Sequence, residues 1–112
     1  MNRNDMHLDR LRTLFFQAMS DPTRQKILSL LEKGEKKCVN DLARDLKVSQ
    51  PTVSKHLAML RNAELVLAMR EGQQVFYSLN CRRMRDCCTN YLGTFSCCSD
   101  LFNKSDSSDE PV

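Results

Sequence analysis

Residues 38–63 read CVNDLARDLKVSQPTVSKHLAMLRNA, and this stretch decides the fold. Within VNDLARDL, residues 39–46, Val39, Leu42, Ala43 and Leu46 recur at helical spacing and mark one apolar side. Lys47-Val48-Ser49 then makes a tight turn, and Ser49 is a favourable N-cap for a second helix that starts near Gln50. Pro51 is tolerated there because the first N–H groups of a helix have no partner within it. Val53, Leu57 and Leu60 supply the buried stripe, and Arg61 to Ala63 finish the helix. Two helices joined by a three-residue turn fit a helix-turn-helix, whose second helix lays its N-terminal residues in the major groove of DNA. The outward residues of that helix are Gln50, Thr52, Ser54, Lys55 and His56. A Gln amide pairs with adenine, hydroxyls bond several base edges, and Lys55 suits phosphate. The plain alternative is a helix pair with a solvated polar face, and His56 fits equally well against the core of that pair.

Working outward, residues 8–19, LDRLRTLFFQAM, place Leu8, Leu11, Phe15, Ala18 and Met19 at helical spacing. In SDPTRQKILSLLEKG, Asp21 and Pro22 read as an N-cap and first-turn proline, Ile27, Leu28, Leu30 and Leu31 form the apolar side, and Gly34 ends the helix. After the helix-turn-helix the period changes. VLAMREGQQVFYSL, residues 66–79, holds two extended runs around Glu71-Gly72-Gln73, a hairpin with Arg70 and Gln73 near its tip, placed to act as a wing on the DNA backbone or minor groove. Residues 81–102 return to helix, with Cys81, Met84, Cys88, Tyr91, Phe95, Cys98 and Phe102 along a heptad-like seam that Gly93 weakens. The expected architecture is mainly α with a β-hairpin wing. One domain covers residues 1–102, and a disordered acidic tail, NKSDSSDEPV, covers 103–112.

The chain is 112 residues long, small enough that a second copy often completes the core. Its net charge of +3 is uneven: the tail sets one lysine against three acids, which leaves residues 1–103 at +5. That suits a DNA-binding body. The polar, charged start MNRNDMHLDRLR does not resemble a signal peptide, and no run approaches the ~18 apolar residues of a membrane span. The six cysteines are therefore expected to be reduced in a cytoplasmic protein with no membrane association. No glycine-rich phosphate loop, acid pair in an evident cleft or nucleophile–base pair marks an enzyme, and no organic cofactor is expected.

Five of those cysteines lie within CRRMRDCCTNYLGTFSCC, residues 81–98. Thiolates select soft ions such as arsenic(III), antimony(III), cadmium, lead, mercury or copper(I). Arsenic(III) takes three thiolates in a pyramid; a tetrahedral zinc or cadmium site takes four ligands. The adjacent pairs Cys87-Cys88 and Cys97-Cys98 are the candidate ligands, with Cys81 and Cys38 behind them. On one straight helix Cys87 and Cys98 share a face but stand ~16 Å apart. A closed site therefore needs a break near Gly93 or a pair from a partner chain. Cys81, Cys88 and Cys98 could instead pack on the seam as small hydrophobes, which leaves Cys87 and Cys97 off the seam unexplained. Arg82, Arg83 and Arg85 either lower the neighbouring thiol pKa values, which favours metal binding and oxidation alike, or form a solvated helix face.

The segments SDPTRQKILSLL, CVNDLARDLKVSQPTVSKHLAMLRNAELV and REGQQVFYSLN, in that order and spacing, resemble the ArsR family of metalloregulatory repressors over residues 8–80. The resemblance implies a winged-helix homodimer that dimerises through its N- and C-terminal helices, represses on double-stranded operator DNA when ligand-free, and releases it on ligand binding. In that family the helix before the recognition helix often carries a Cys-Val-Cys-Asp-Leu motif for trivalent arsenic. The matching residues here are Cys38 to Leu42 with Asn40 as the third, so that site is incomplete. Zinc sensors of the family use Asp and His on the last helix, where this chain matches with Cys81, Arg83, Thr94 and Cys97. The reading that follows is a repressor induced by arsenic(III) or another thiophilic ion. The alternative is a thiol redox or reactive-sulfur sensor that switches by disulfide formation. Members of that kind pair a last-helix cysteine with one in the helix before the DNA-reading pair, and ILSLLE, residues 27–32, has none.

Overall fold

A computed structural model describes residues 3–32 and 34–108. It contains the helices α1 (Arg3–Met19) and α2 (Pro22–Leu30), strand β1 (Lys37–Cys38), α3 (Val39–Leu46), α4 (Gln50–Asn62), strands β2 (Val66–Glu71) and β3 (Gln74–Leu79), then α5 (Cys81–Leu92) and α6 (Ser96–Ser108). The chain forms two compact units, Met1–Cys81 and Arg82–Val112.

In the first unit the apolar stripes converge as their spacing requires. Leu11, Phe15 and Ala18 of α1, Ile27 and Leu28 of α2, Leu42 of α3, and Val53, Leu57 and Leu60 of α4 are all buried. Each fully buried Leu or Ile contributes about 1.5–3 kcal/mol relative to exposure, so the helix-turn-helix is held mainly by these contacts. Asp21 caps α2, its carboxylate accepting from the backbone N–H of Thr23 at 2.8 Å and of Arg24 at 3.1 Å. These two donors, Arg24 first, hold its carboxyl below the usual range. The helix ends at Leu30, sooner than Gly34 suggests, where the bonding tightens to i→i−3: the N–H groups of Leu31, Glu32 and Gly34 bond the carbonyls of Leu28, Ser29 and Leu31. Gly34, at φ +77°, belongs to the turn that follows.

The hairpin turns on two residues, Gly72 and Gln73, with Gly72 at φ +65°, where a side chain is disfavoured. A third strand, β1, is absent from the sequence reading. Two residues are too few to show alternation, yet Lys37 pairs with Tyr77 and Cys38 with Phe76, giving the antiparallel order β1-β3-β2.

The second unit departs from the expected continuous helix. The chain breaks after Leu92: the N–H groups of Gly93, Thr94 and Phe95 bond the carbonyls of Thr89, Tyr91 and Leu92. A Cβ on Gly93 would lie 2.5 Å from the carbonyl oxygen of Thr89, so the break has no room for a side chain. Of the tail expected over 103–112, residues 103–108 continue the backbone of α6, and 109–112 lie outside the described residues. Among the described residues no helix is long and apolar enough to cross a membrane.

Candidate DNA interface and thiol segment

The turn before α4 reverses the chain through Lys47, which adopts the left-handed conformation at φ 60°, while the N–H of Val48 closes back on Ala43. Ser49 then caps α4. Its Oγ accepts from the N–H of Thr52 at 3.3 Å and meets Thr52 Oγ1 at 2.8 Å. Val53, Leu57 and Leu60 anchor the back of the helix, so its first two turns have a fixed outward face. On that face Gln50, Ser54 and Lys55 are exposed, whereas Thr52 is half-buried and its hydroxyl is engaged by the cap.

His56, one of the outward residues of the sequence reading, is half-buried. Its Nδ1 lies 3.2 Å from Nη1 of Arg24 and 3.9 Å from Oδ2 of Asp21. Arg24 is only 8 % exposed, and it also donates from Nε to the carbonyl of Ala18 at 2.8 Å and from Nη2 to that of Gln17 at 3.0 Å. Sequence reasoning missed Arg24, because a charged residue on a polar helix flank gives no sign of burial. The one available signal was its position three residues after the Asp21 cap.

On the wing, Arg70 and Gln73 are exposed, and Arg70 Nε donates to the carbonyl of Gly72 at 3.3 Å, which holds the guanidinium near the tip. Lys36 pairs with Glu71 and lies 5.2 Å from the centroid of the Phe76 ring, tying the wing to the approach of β1. Lys37 bridges to Asp45 of α3 at 3.3 Å, and that hydrogen bond raises its pKa.

None of the six cysteines is in a disulfide. Cys38 is buried in front of α3, where its backbone N–H is held by the Asp41 carboxylate at 3.2 Å. That bond is also the chief reason the Asp41 carboxyl titrates low. The seam of the sequence reading needs correcting in α5. Cys81 is exposed and Cys87 is 4 % exposed, the reverse of their expected places. With α5 ending at Leu92, its apolar face is Met84, Cys87, Cys88 and Tyr91, at spacings of three, one and three, so both members of the first pair share it. Cys97 and Cys98 open α6, with Sγ atoms 3.7 Å apart. At Cys88 and Cys98 the shift runs opposite to the lowering expected from the arginines. Burial pushes the Cys88 thiol up, and the contact with Cys97, with burial second, pushes Cys98 up. Among the described residues no three His, Cys, Asp or Glu side chains stand together as a metal site, so the break after Leu92 does not by itself gather the two pairs.

Residues 21–67 match the family model described as bacterial regulatory protein, arsR family. The chain is 45% identical over 71 residues to the transcriptional repressor SdpR of Bacillus subtilis, covering 63% of this chain and 78% of that protein. It is 37% identical over 67 residues to the arsenic resistance transcriptional regulator ArsR1 of Pseudomonas putida, covering 60% of this chain but only about half, 52%, of the relative. Among solved structures it is similar to the homodimeric winged helix-turn-helix DNA-binding domain of Mb0332 from Mycobacterium bovis. That likeness has a TM-score of 0.68 at 24% identity and covers 78% of this chain and 81% of that one. These relatives are regulators of transcription, not enzymes. A helix-turn-helix capped and packed in this way, a hairpin wing beside it, and matches of this extent place the chain in the ArsR family of bacterial transcriptional repressors, with the family's winged helix-turn-helix fold.

Proposed function

We propose that this repressor binds operator DNA as a homodimer and lets go when trivalent arsenic, or another thiophilic ion, is captured by Cys87 and Cys88 together with Cys97 or Cys98. Gln50 and Ser54 read base edges, Lys55 contacts phosphate, and Arg70 and Gln73 of the wing hold the flanking backbone. Thr52 joins them through whatever bonding its cap leaves open. The observation that carries the thiol reading is the layout of the two pairs. Cys87 and Cys88 lie on one face of α5, and Cys97 and Cys98 lie side by side, 3.7 Å apart, where α6 begins.

The donors suit a soft ion by type but are not gathered in advance within the described part of one chain. That is a useful property in a switch. A site equally assembled in both states would bind its ligand without preferring either, whereas a site that must be drawn together favours the conformation that closes it. Taking a dimer from 99% competent to 99% incompetent requires a preference of about 10⁴-fold between the states.

The raised thiols of Cys88 and Cys98 favour arsenite over a divalent cation. Neutral arsenous acid condenses with three thiols to form three As–S bonds and release three waters, with no net change in protons. A divalent cation must displace one proton from every thiol it binds, and thiols that hold their protons tightly oppose it. Oxidation within the Cys97–Cys98 pair is disfavoured, since consecutive Cα atoms stand ~3.8 Å apart, below the usual span of a disulfide.

The test is an ultraviolet titration of the reduced dimer with arsenite, cadmium and zinc, read beside release of a DNA duplex by anisotropy. Arsenite should give sulfur-to-arsenic absorption, saturate at a fixed ratio per dimer, and release DNA. Release by hydrogen peroxide or polysulfide but not by arsenite would replace this reading with the redox one.

A further inference from the structure

Arg24 is a buried cation with no part in the base-reading face or the thiol segment. We infer that Arg24 and His56 form a clasp that positions the recognition helix for DNA, and that the clasp holds only while His56 is neutral. The inference rests on α4 being the DNA-reading helix, which Gln50 and Ser54 variants test separately.

Two of the Arg24 donors are taken by carbonyls in the last turn of α1, those of Ala18 and Gln17, so the plane of the guanidinium is fixed. The remaining Nη1 points to His56 Nδ1, and α1, α2 and α4 are thereby joined at one point. Ser54 and Lys55 immediately precede His56, so a movement of His56 carries them along. A guanidinium donates hydrogen bonds and accepts none. Nδ1 must therefore be the acceptor, which puts the ring proton on Nε2.

Protonation turns Nδ1 into a donor facing a donor and sets one cation against another. The charged group positioned to receive it is Asp21, at 3.9 Å from Nδ1 and already held by two backbone N–H groups. A protonated His56 is thus drawn from Arg24 toward Asp21. Several other charged groups on the packed elements, among the described residues, are engaged elsewhere. On α1 Asp9 pairs with Arg12, and on α3 Asp41 pairs with Arg44 and Asp45 with Lys37. On β2 Arg70 bonds the Gly72 carbonyl and Glu71 pairs with Lys36.

The sign of the pH effect separates this clasp from general electrostatics. Acidification in general makes a protein more positive, and added positive charge strengthens attraction to phosphate. The clasp predicts the opposite. The experiment uses the full chain without inducer and an inverted-repeat duplex recovered from random DNA by selection. Wild-type affinity should fall about tenfold between about pH 8 and about pH 5.5, the loss of one hydrogen bond to a charged group. His56→Asn keeps an acceptor in the place of Nδ1 but takes no proton, so it should restore binding relative to His56→Leu and abolish the acid loss. His56→Leu should bind weakly at both pH values while staying folded by circular dichroism and dimeric by sedimentation. A long-range proton–nitrogen correlation at pH 8 should show the Nε2–H tautomer. Wild-type affinity that rises on acidification, an acid loss retained in His56→Asn, full affinity in His56→Leu, or an Nδ1–H tautomer would each overturn the clasp.

Discussion

At the scale of single residues, the proposed roles in base reading and phosphate contact predict different losses. Gln50 and Ser54 are exposed on a helix whose back is locked by Val53 and Leu57, so truncating them removes contacts without disturbing the core. Gln50→Ala or Ser54→Ala should cost about 1–3 kcal/mol on a selected duplex and much less on random DNA. Arg70→Ala should weaken both duplexes alike and flatten the salt dependence, measured by anisotropy across a salt series. Equal losses on both duplexes for the helix variants would remove α4 from base reading. The thiols give a second residue-scale expectation. Cys87→Ser or Cys88→Ser should still repress but fail to release with arsenite, while Cys38→Ser stays nearly normal. Induction lost in Cys38→Ser and kept in the other two would move the site to α3. Because Cys88 and Cys98 hold their protons more tightly than free cysteine, cadmium affinity should climb steadily from about pH 6 to about pH 8, with up to one proton released per thiol, whereas arsenite affinity should stay nearly flat. Parallel pH profiles for the two ions would contradict the condensation argument.

At the scale of elements, the caps and breaks decide what each helix presents. Ser49 satisfies the start of α4 and also holds Thr52, so Ser49→Ala should lower stability by about 1 kcal/mol in thermal or urea unfolding. Gly93 is a stricter position. Because a Cβ there meets the Thr89 carbonyl at 2.5 Å, Gly93→Ala must shift the break between α5 and α6. It should impair arsenite release while leaving DNA affinity of the ligand-free protein largely intact; unchanged induction would show that the break does not govern the thiols. These two elements also mark how far the sequence could be read. Ser49 followed by Pro51 and a stripe at 53, 57 and 60 gives the start, face and length of α4 directly, since capping and periodicity are local. The hairpin was equally legible from Gly72 between two β-rich runs. Strand β1 was not, because its two residues become a strand only through pairing with β3. The seam through 81–102 failed for a related reason. The heptad placed Cys81 inside and Cys87 outside, whereas α5 frays to an exposed Cys81 at its start and, beside Met84, Cys88 and Tyr91, has Cys87 at its most buried point. The Arg24–His56 contact joins residues 32 apart in the chain and depends on tertiary packing that no local pattern records.

At the scale of the whole molecule, the proposed reading needs two copies. One recognition helix covers one half-site, and an inverted repeat with half-sites about 34–36 Å apart is matched only by a two-fold pair of such helices. The chain carries apolar side chains that are left in water as a single copy: Phe16 on α1 is 44% exposed, Phe95 beside the α5–α6 break 43%, and Leu101 on α6 64%. For so small a chain these are costly to leave uncovered, and each Phe or Leu buried in an interface contributes about 1.5–3 kcal/mol. Phe15, by contrast, is buried and stacks edge-on against Phe16 with ring centroids 5.2 Å apart, so α1 is anchored on one side and open on the other. Phe95→Asp and Phe16→Asp, made separately, each place a carboxylate in a surface expected to be dry. Either should shift the sedimentation profile toward monomer and weaken binding to the inverted repeat, while binding to a single half-site changes little, because α4 and the wing are untouched. Full dimer in both variants would locate the interface away from α1 and α6. A monomeric variant that still binds the repeat as tightly as wild type would instead disconnect dimerisation from operator recognition, and with it the route by which a thiol ligand on α5 and α6 controls DNA binding.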